Sequence, residues 1–271
     1  METFIDKAKT RRSVRTFDGM GVDPDVLKEL EDCAKTVTNP YGISIMIDIM
    51  DAKENDLSSP VLSGEKVYAT AKVKKGEYAE EAYGYSFEAF LMKAHELGLG
   101  TVWIGGTMPR EKFEKAAKLE DGEIMPCVSP LGVTAKKMSI KEGLMRKGVK
   151  ADTRLNFEDI FYENNFDTPL TEGAAKGMGI WADLEAVRLA PSAVNKQPWR
   201  VVVGDHIAHF YEKKDKGFDS GAYDLQKVDL GIALYHFEQQ SLSEGKKVIF
   251  EIADPKIALE NGMQYIATYR W

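Results

Sequence analysis

Residues Ala190 to Arg200 read Ala-Pro-Ser-Ala-Val-Asn-Lys-Gln-Pro-Trp-Arg and run directly into Val201-Val202-Val203. The residues before them pattern as a helix, and the valines after them as a strand. Pro191 and Pro198 stiffen the backbone at both ends of the connection. Between them, Ser192, Asn195 and Gln197 offer short polar groups that donate and accept hydrogen bonds. Trp199 adds a large apolar side chain with one donor. So rigid a passage from helix to strand requires a fold that mixes the two element types. Two roles stay open: an ordinary turn over a buried Trp, or a polar edge that suits a flat heterocycle.

A second distinctive stretch lies near the start. Arg11-Arg12-Ser13-Val14-Arg15-Thr16-Phe17 places three arginines and a Ser within five residues. Guanidinium forks bind phosphate bidentately and a hydroxyl adds a donor, so this is a candidate anion site; the plainer reading is a solvated basic surface. Asp23-Pro24 then supplies an N-cap and an N1 proline for a helix. Ile43, Ile45, Ile47 and Ile49 alternate as a strand. Residues 51–76 are polar, with a strand-like patch at Val67-Tyr68-Ala69. A long helix is expected over Glu77 to Leu97, with Tyr83, Phe87, Phe90, Leu91 and Ala94 on one face.

Gly98-Leu99-Gly100-Thr101-Val102-Trp103-Ile104-Gly105-Gly106 follows that helix and opens a strand. A dinucleotide fingerprint would follow a strand and open a helix, so this glycine run is not one. No Gly-x4-Gly-Lys-Ser/Thr loop is present. Further on, Thr107 to Leu119 reads as a short helix and Pro126 to Val133 as a strand. His206 and His209 stand three apart beside a strand and so point to opposite faces; they read as surface histidines, not metal ligands. The formal net charge of −7 disfavours nonspecific nucleic-acid binding. Two cysteines, Cys33 and Cys127, suggest neither a disulfide framework nor a zinc site. No stretch reads as a signal peptide or a membrane span, and a cytoplasmic location is expected.

The Pro-Ser-x-x-Asn-x-Gln-Pro-Trp turn, the Arg-Arg-Ser-x-Arg-x-Phe opening and the Gly-Leu-Gly-Thr-x-Trp-x-Gly-Gly run together resemble the FMN-dependent nitroreductase family. The resemblance is sharpest at 11–17, 98–106 and 191–199 and covers most of residues 9–160. It implies an α+β fold, a mixed and largely antiparallel sheet flanked by helices. It implies an FMN-dependent NAD(P)H oxidoreductase in which NADH or NADPH passes hydride to flavin N5 and a nitro compound, quinone or similar small-molecule acceptor removes it. Arg11, Arg12, Ser13 and Arg15 would hold the phosphate, with Arg154 as a second phosphate ligand. Gly105 and Gly106 would bring backbone amides near the ring. Pro191, Ser192, Asn195 and Gln197 would meet the flavin from the other side. No side-chain acid, base or metal is required, because the cofactor carries the chemistry. A flavin store or sensor without turnover is the alternative.

After residue 168 the order helix, turn, strand, helix, strand restarts in degraded form. Leu30 to Lys35 corresponds to Leu184 to Leu189, and the helix at Glu77–Leu97 to one at Tyr223–Gly245. The chain thus reads as an internally duplicated pseudo-dimer, with halves 1–168 and 169–271 packed as one unit. The first half has the arginines but an eroded turn at Val37 to Tyr41. The second has the turn but no arginine between Arg154 and Arg188. One flavin site can be completed from the two halves, so a monomer suffices.

Overall fold

The computed structural model describes residues 3–271, and its contacts divide the chain into two units. One is Arg11–Asp152. The other joins Thr153–Trp271 to the residues before Arg11, through helix α1 (Phe4–Thr10). This division differs from 1–168 and 169–271 at both ends, and the reason is local. The Ile5 N–H donates to Gln240 Oε1 at 2.8 Å, and the Phe4 ring meets Tyr235 and His236 edge-on. At the other boundary, residues 153–155 bond to the 189–197 segment, as described below.

The Arg11–Asp152 unit contains α2 (Pro24–Thr36), β1 (Met46–Asp51), β2 (Val67–Lys74), α3 (Ala79–Glu96), α4 (Arg110–Ala116), β3 (Glu123–Ile124), β4 (Val128–Leu131) and α5 (Ile140–Gly148). Asp23 caps α2 as its sequence requires, accepting the Asp25 N–H at 2.8 Å, and Pro24 occupies the first turn. Strand β2 is central: β1 pairs with it antiparallel on one side, β4 and β3 on the other. It runs beyond the Val67–Ala69 patch because both its edges are paired and all but its last residue are buried. Lys72 is held inside by Glu123 at 2.9 Å and by the Lys118 carbonyl. Helix α3 is buried along most of its length, including the whole predicted Tyr83–Phe87–Phe90–Leu91–Ala94 face.

The second unit contains, besides α1, β5 (Phe161–Glu163), α6 (Glu172–Gly177), α7 (Trp181–Leu189), β6 (Trp199–Gly204), β7 (Ile207–Lys213), α8 (Leu225–Ser243), β8 (Ile249–Glu251) and β9 (Met263–Arg270). Its sheet runs β5-β6-β7-β9-β8, parallel only between β5 and β6. Phe237 of α8 packs edge-on against Phe210 of β7. Both units therefore run helix, two antiparallel strands, long helix: α2-β1-β2-α3 in one and α7-β6-β7-α8 in the other.

His209 departs from its sequence reading. It is buried, because β7 is an interior strand with β6 and β9 on its flanks, and its Nδ1 lies 2.8 Å from Thr268 Oγ1. His206 is exposed, in the turn between β6 and β7. Among the described residues no helix is long and apolar enough to cross a membrane, and no group of His, Cys, Asp and Glu could hold a metal ion. Cys33 and Cys127 are both free thiols.

Candidate cofactor site

The arginine segment does not lie on the surface as a loose basic run. It is extended, bridging in parallel to Thr101 through Ser13 and antiparallel to Thr134 through Phe17. The Val14 N–H donates to the Thr101 carbonyl at 2.9 Å. Val14 and Phe17 are buried and the residues between and before them are half-buried; three apart on an extended chain, the two point to opposite faces, so both faces of the segment are covered. The close approach depends on two glycines. A Cβ at Gly100 would stand 2.9 Å from the Val14 side chain, and one at Gly132 the same distance from the Phe17 ring. Gly98, by contrast, has φ +82° at the end of α3 and serves as its C-cap glycine.

The three arginines differ in their partners. Arg12 is paired: its Nη1 lies 3.1 Å from Oε1 of Glu142, which is buried and also accepts the Thr16 hydroxyl at 2.7 Å. Ser139 caps α5, its Oγ accepting the Glu142 N–H at 3.1 Å, while its own N–H donates to Thr16 Oγ1 at 3.1 Å. One helical turn on, Arg146 donates to the Ser13 carbonyl at 3.3 Å and pairs with Asp152. Thus α5 lays one acid and one base along the segment. Arg11 Nε and Arg15 Nη1, however, are buried without any hydrogen-bond partner. Burial pushes both guanidiniums down from their usual pKa; Glu88 opposes this at Arg11 and Glu142 at Arg15, while Arg146 adds to it at both. Arginine stays charged in proteins, so both are desolvated cations. A buried donor left unmet costs about 1–3 kcal/mol, more when charged. Two such donors beside the Ser13 backbone fit a phosphate.

Gly105 and Gly106 form the bend after Ile104. The Gly105 carbonyl accepts from Arg110 Nη2 at 2.8 Å, which fixes the bend to the start of α4. Gly106 is exposed, with open space where a Cβ would stand. Trp103 donates its indole N–H to Glu88 at 2.8 Å and meets Tyr83 and Phe87 at ring edges. Arg146, Glu142 and Glu88 were not picked out from sequence. Only the Ser-x-x-Glu spacing of Ser139 and Glu142 carried a local signal.

The remaining candidates lie in the second unit. Pro191 follows Ala190, the C-cap of α7, and Ser192 to Gln197 make a tight turn. The Gln197 N–H donates to Ser192 Oγ at 2.9 Å, and the Asn195 N–H to the Ser192 carbonyl at 3.0 Å. The side chains turn inward to their own backbone. Gln197 is buried, and its Oε1 accepts the Leu155 N–H at 2.9 Å; Asn195 Nδ2 donates to the Thr153 carbonyl at 3.0 Å. Arg154 Nη1 reaches Asn195 Oδ1 at 3.3 Å, and its Nη2 donates to the Leu189 carbonyl at 3.1 Å. Arg154 thus braces the turn and the end of α7. Val194, Asn195 and Gln197 have φ of +50°, +58° and +52°. Left-handed backbone costs a non-glycine residue about 1–2 kcal/mol, and a β-branched Val is the least suited to it. Below the turn, the Ala193 N–H donates to both oxygens of the buried Asp229 carboxylate, at 3.0 and 3.1 Å. Three strained residues held at one tight turn mark a place where backbone shape is specified.

The architecture is that of a nitroreductase-like α+β protein, with mixed and antiparallel sheets flanked by helices. A family model described as "Putative TM nitroreductase" matches residues 3–241, and the chain belongs to that nitroreductase family. Among solved structures, the chain is similar to a protein from Thermotoga maritima described as a "putative nitroreductase". The two share 17% identity at a TM-score of 0.63, over 99% of this chain and 92% of that one. It also resembles an FMN-dependent nitroreductase from Clostridium difficile, at 20% identity and a TM-score of 0.42, over 52% of this chain and 94% of that one. A nitroreductase with bound FMN from Desulfitobacterium hafniense is similar at 15% identity and a TM-score of 0.43, over 51% and 93%. No curated protein matches the sequence.

Proposed function

We propose that this nitroreductase-family protein is an FMN-dependent NAD(P)H oxidoreductase that reduces a nitro compound, quinone or similar small-molecule acceptor. The observation that carries the reading is the pair of buried, unmet donors, Arg11 Nε and Arg15 Nη1, beside Ser13. Charge-assisted bonds from these groups to a phosphate would satisfy both. Arg12, already balanced by Glu142, would orient the segment more than bind. Arg146 would add positive charge at the same place. FMN, when bound, would supply hydride acceptance and donation at its N5 position. The open bend at Gly105 and Gly106 would let backbone approach the ring closely. The Pro191–Gln197 turn, braced by Arg154, would offer a backbone edge, since its Asn195 and Gln197 side chains are spent on residues 153 and 155. The duplicated element order supports descent from a two-subunit arrangement now joined in one chain.

Anaerobic addition of NADH or NADPH to purified, flavin-loaded protein tests the reading. Bleaching of the flavin absorption, and its return on adding a nitro compound or quinone, are expected. Flavin that stays oxidised would make the protein a store or sensor. Protein that binds no FMN would remove the flavin reading altogether.

A further inference from the structure

Asp229 lies on α8, one turn in from its start, and its carboxylate is buried. Its one hydrogen-bond donor among the described residues is the Ala193 N–H, which addresses both oxygens. A buried carboxylate served by a single amide is costly, since ionised groups inside a protein need several donors or a cation. The surroundings make it worse. Glu212 of β7 and the α8 cap Asp224 both face it, and Lys214, 3.3 Å from Asp224 and 3.9 Å from Glu212, is the near cation; Lys227 also faces Glu212. Burial pushes the Asp229 acid well above the usual carboxylate range, with the Ala193 N–H opposing and Asp224 and Glu212 adding. The amide at the other end of this bond opens the turn whose next residues, Val194 and Asn195, are left-handed. One expensive buried group is thus spent on one strained piece of backbone.

We propose that Asp229 is the positioning residue of the Ser192–Gln197 turn: by taking the Ala193 N–H on both oxygens it fixes the backbone edge that the turn offers to flavin. The last clause rests on the flavin reading above; the fixing of the turn does not. Leu225 and the rest of α8 are anchored independently, by Asp224 at the cap and by the sheet beneath. Asp229 can therefore change without unseating the helix.

Two variants alter the bond from opposite ends. Asp229→Asn keeps one acceptor oxygen and replaces the other with an amide NH2 that cannot accept the Ala193 N–H. Ala193→Pro removes the donor at a half-buried position that follows an extended residue, Ser192, as proline prefers. In flavin-free protein, the amides of Asn195, Lys196 and Gln197 should exchange with deuterium about tenfold faster in Ala193→Pro. Asp229→Asn should fall between that and the parent protein. In flavin-loaded protein the same order should appear in the visible circular dichroism and reduction potential of bound FMN. Turn amides that exchange at the parental rate in both variants would overturn the assignment. Altered exchange with an unchanged flavin signature would overturn only the link to flavin. A parent protein that binds no FMN would refute the proposed function, while the exchange measurement would still decide what Asp229 does.

Discussion

At the scale of single residues, the arginine segment separates into roles that composition could not assign. Arg11 and Arg15 carry buried donors with no partner, whereas Arg12 balances Glu142. Arg11→Ala and Arg15→Ala should each weaken FMN retention by roughly tenfold or more, read by equilibrium dialysis, because a charge-assisted contact to phosphate is lost. Arg12→Ala should act mainly on stability, lowering it by about 1–3 kcal/mol, because Glu142 keeps its burial and loses its cation. Equal loss of flavin in all three would refute this division. Glu212 sets a pH dependence of its own. Burial first, and then the neighbouring Asp224, push its acid up from 4.5 to about 8. A carboxyl with a raised folded pKa holds its proton in the folded state after the unfolded chain has released it. Stability should therefore fall as pH rises from about 4.5 through about 8, at up to about 1.4 kcal/mol per pH unit. Glu212→Gln should flatten that slope in denaturant titrations, and a slope unchanged in the variant would assign it to other groups.

At the scale of elements, what was legible follows from local rules. Asp23-Pro24 predicts the start of α2, and the aromatic face of α3 is buried as its spacing requires. The turn at 191–197 was visible from its prolines and polar residues, yet the use of those residues was not. Asn195 and Gln197 look like groups aimed at a ligand, but their amides satisfy residues 153 and 155, forty-two positions away in each case. The extent of β2 was hidden for a similar reason. Thr70 to Val73 include enough polar residues to read as loop, and only pairing on both edges of β2 with the partners of Lys72 makes them core. The strain in the turn gives a direct test. Val194 is exposed and left-handed, so Val194→Gly should raise stability by about 1 kcal/mol in chemical denaturation. A loss of stability would mean that the Val side chain contributes more than its backbone costs.

At the scale of the whole molecule, the restart of pattern after residue 168 reads as helix, turn, strand, helix, strand, whereas both units run helix, strand, strand, helix and the division falls at Thr153. Nothing in the composition of residues 3–10 announces that Ile5 bonds to Gln240. The asymmetry of the arginines yields the expected stoichiometry. Where the second unit would need a phosphate grip it has α6, whose first residue Glu172 pairs with Lys176. One FMN per chain is expected, by flavin absorbance against protein mass from light scattering, and two per chain would contradict the unequal halves. The path of the chain has a further consequence, for the order of events in synthesis. Residues 11–152 form a continuous unit that can close as soon as they have left the ribosome. The other unit is assembled from both ends of the sequence, and α1 must wait for partners more than two hundred residues downstream. Such distant closure is slow compared with local pairing. During translation α1 should stay unprotected long after the first unit has formed, so that a protease cutting near Thr10 would act on nascent chains and spare the finished protein.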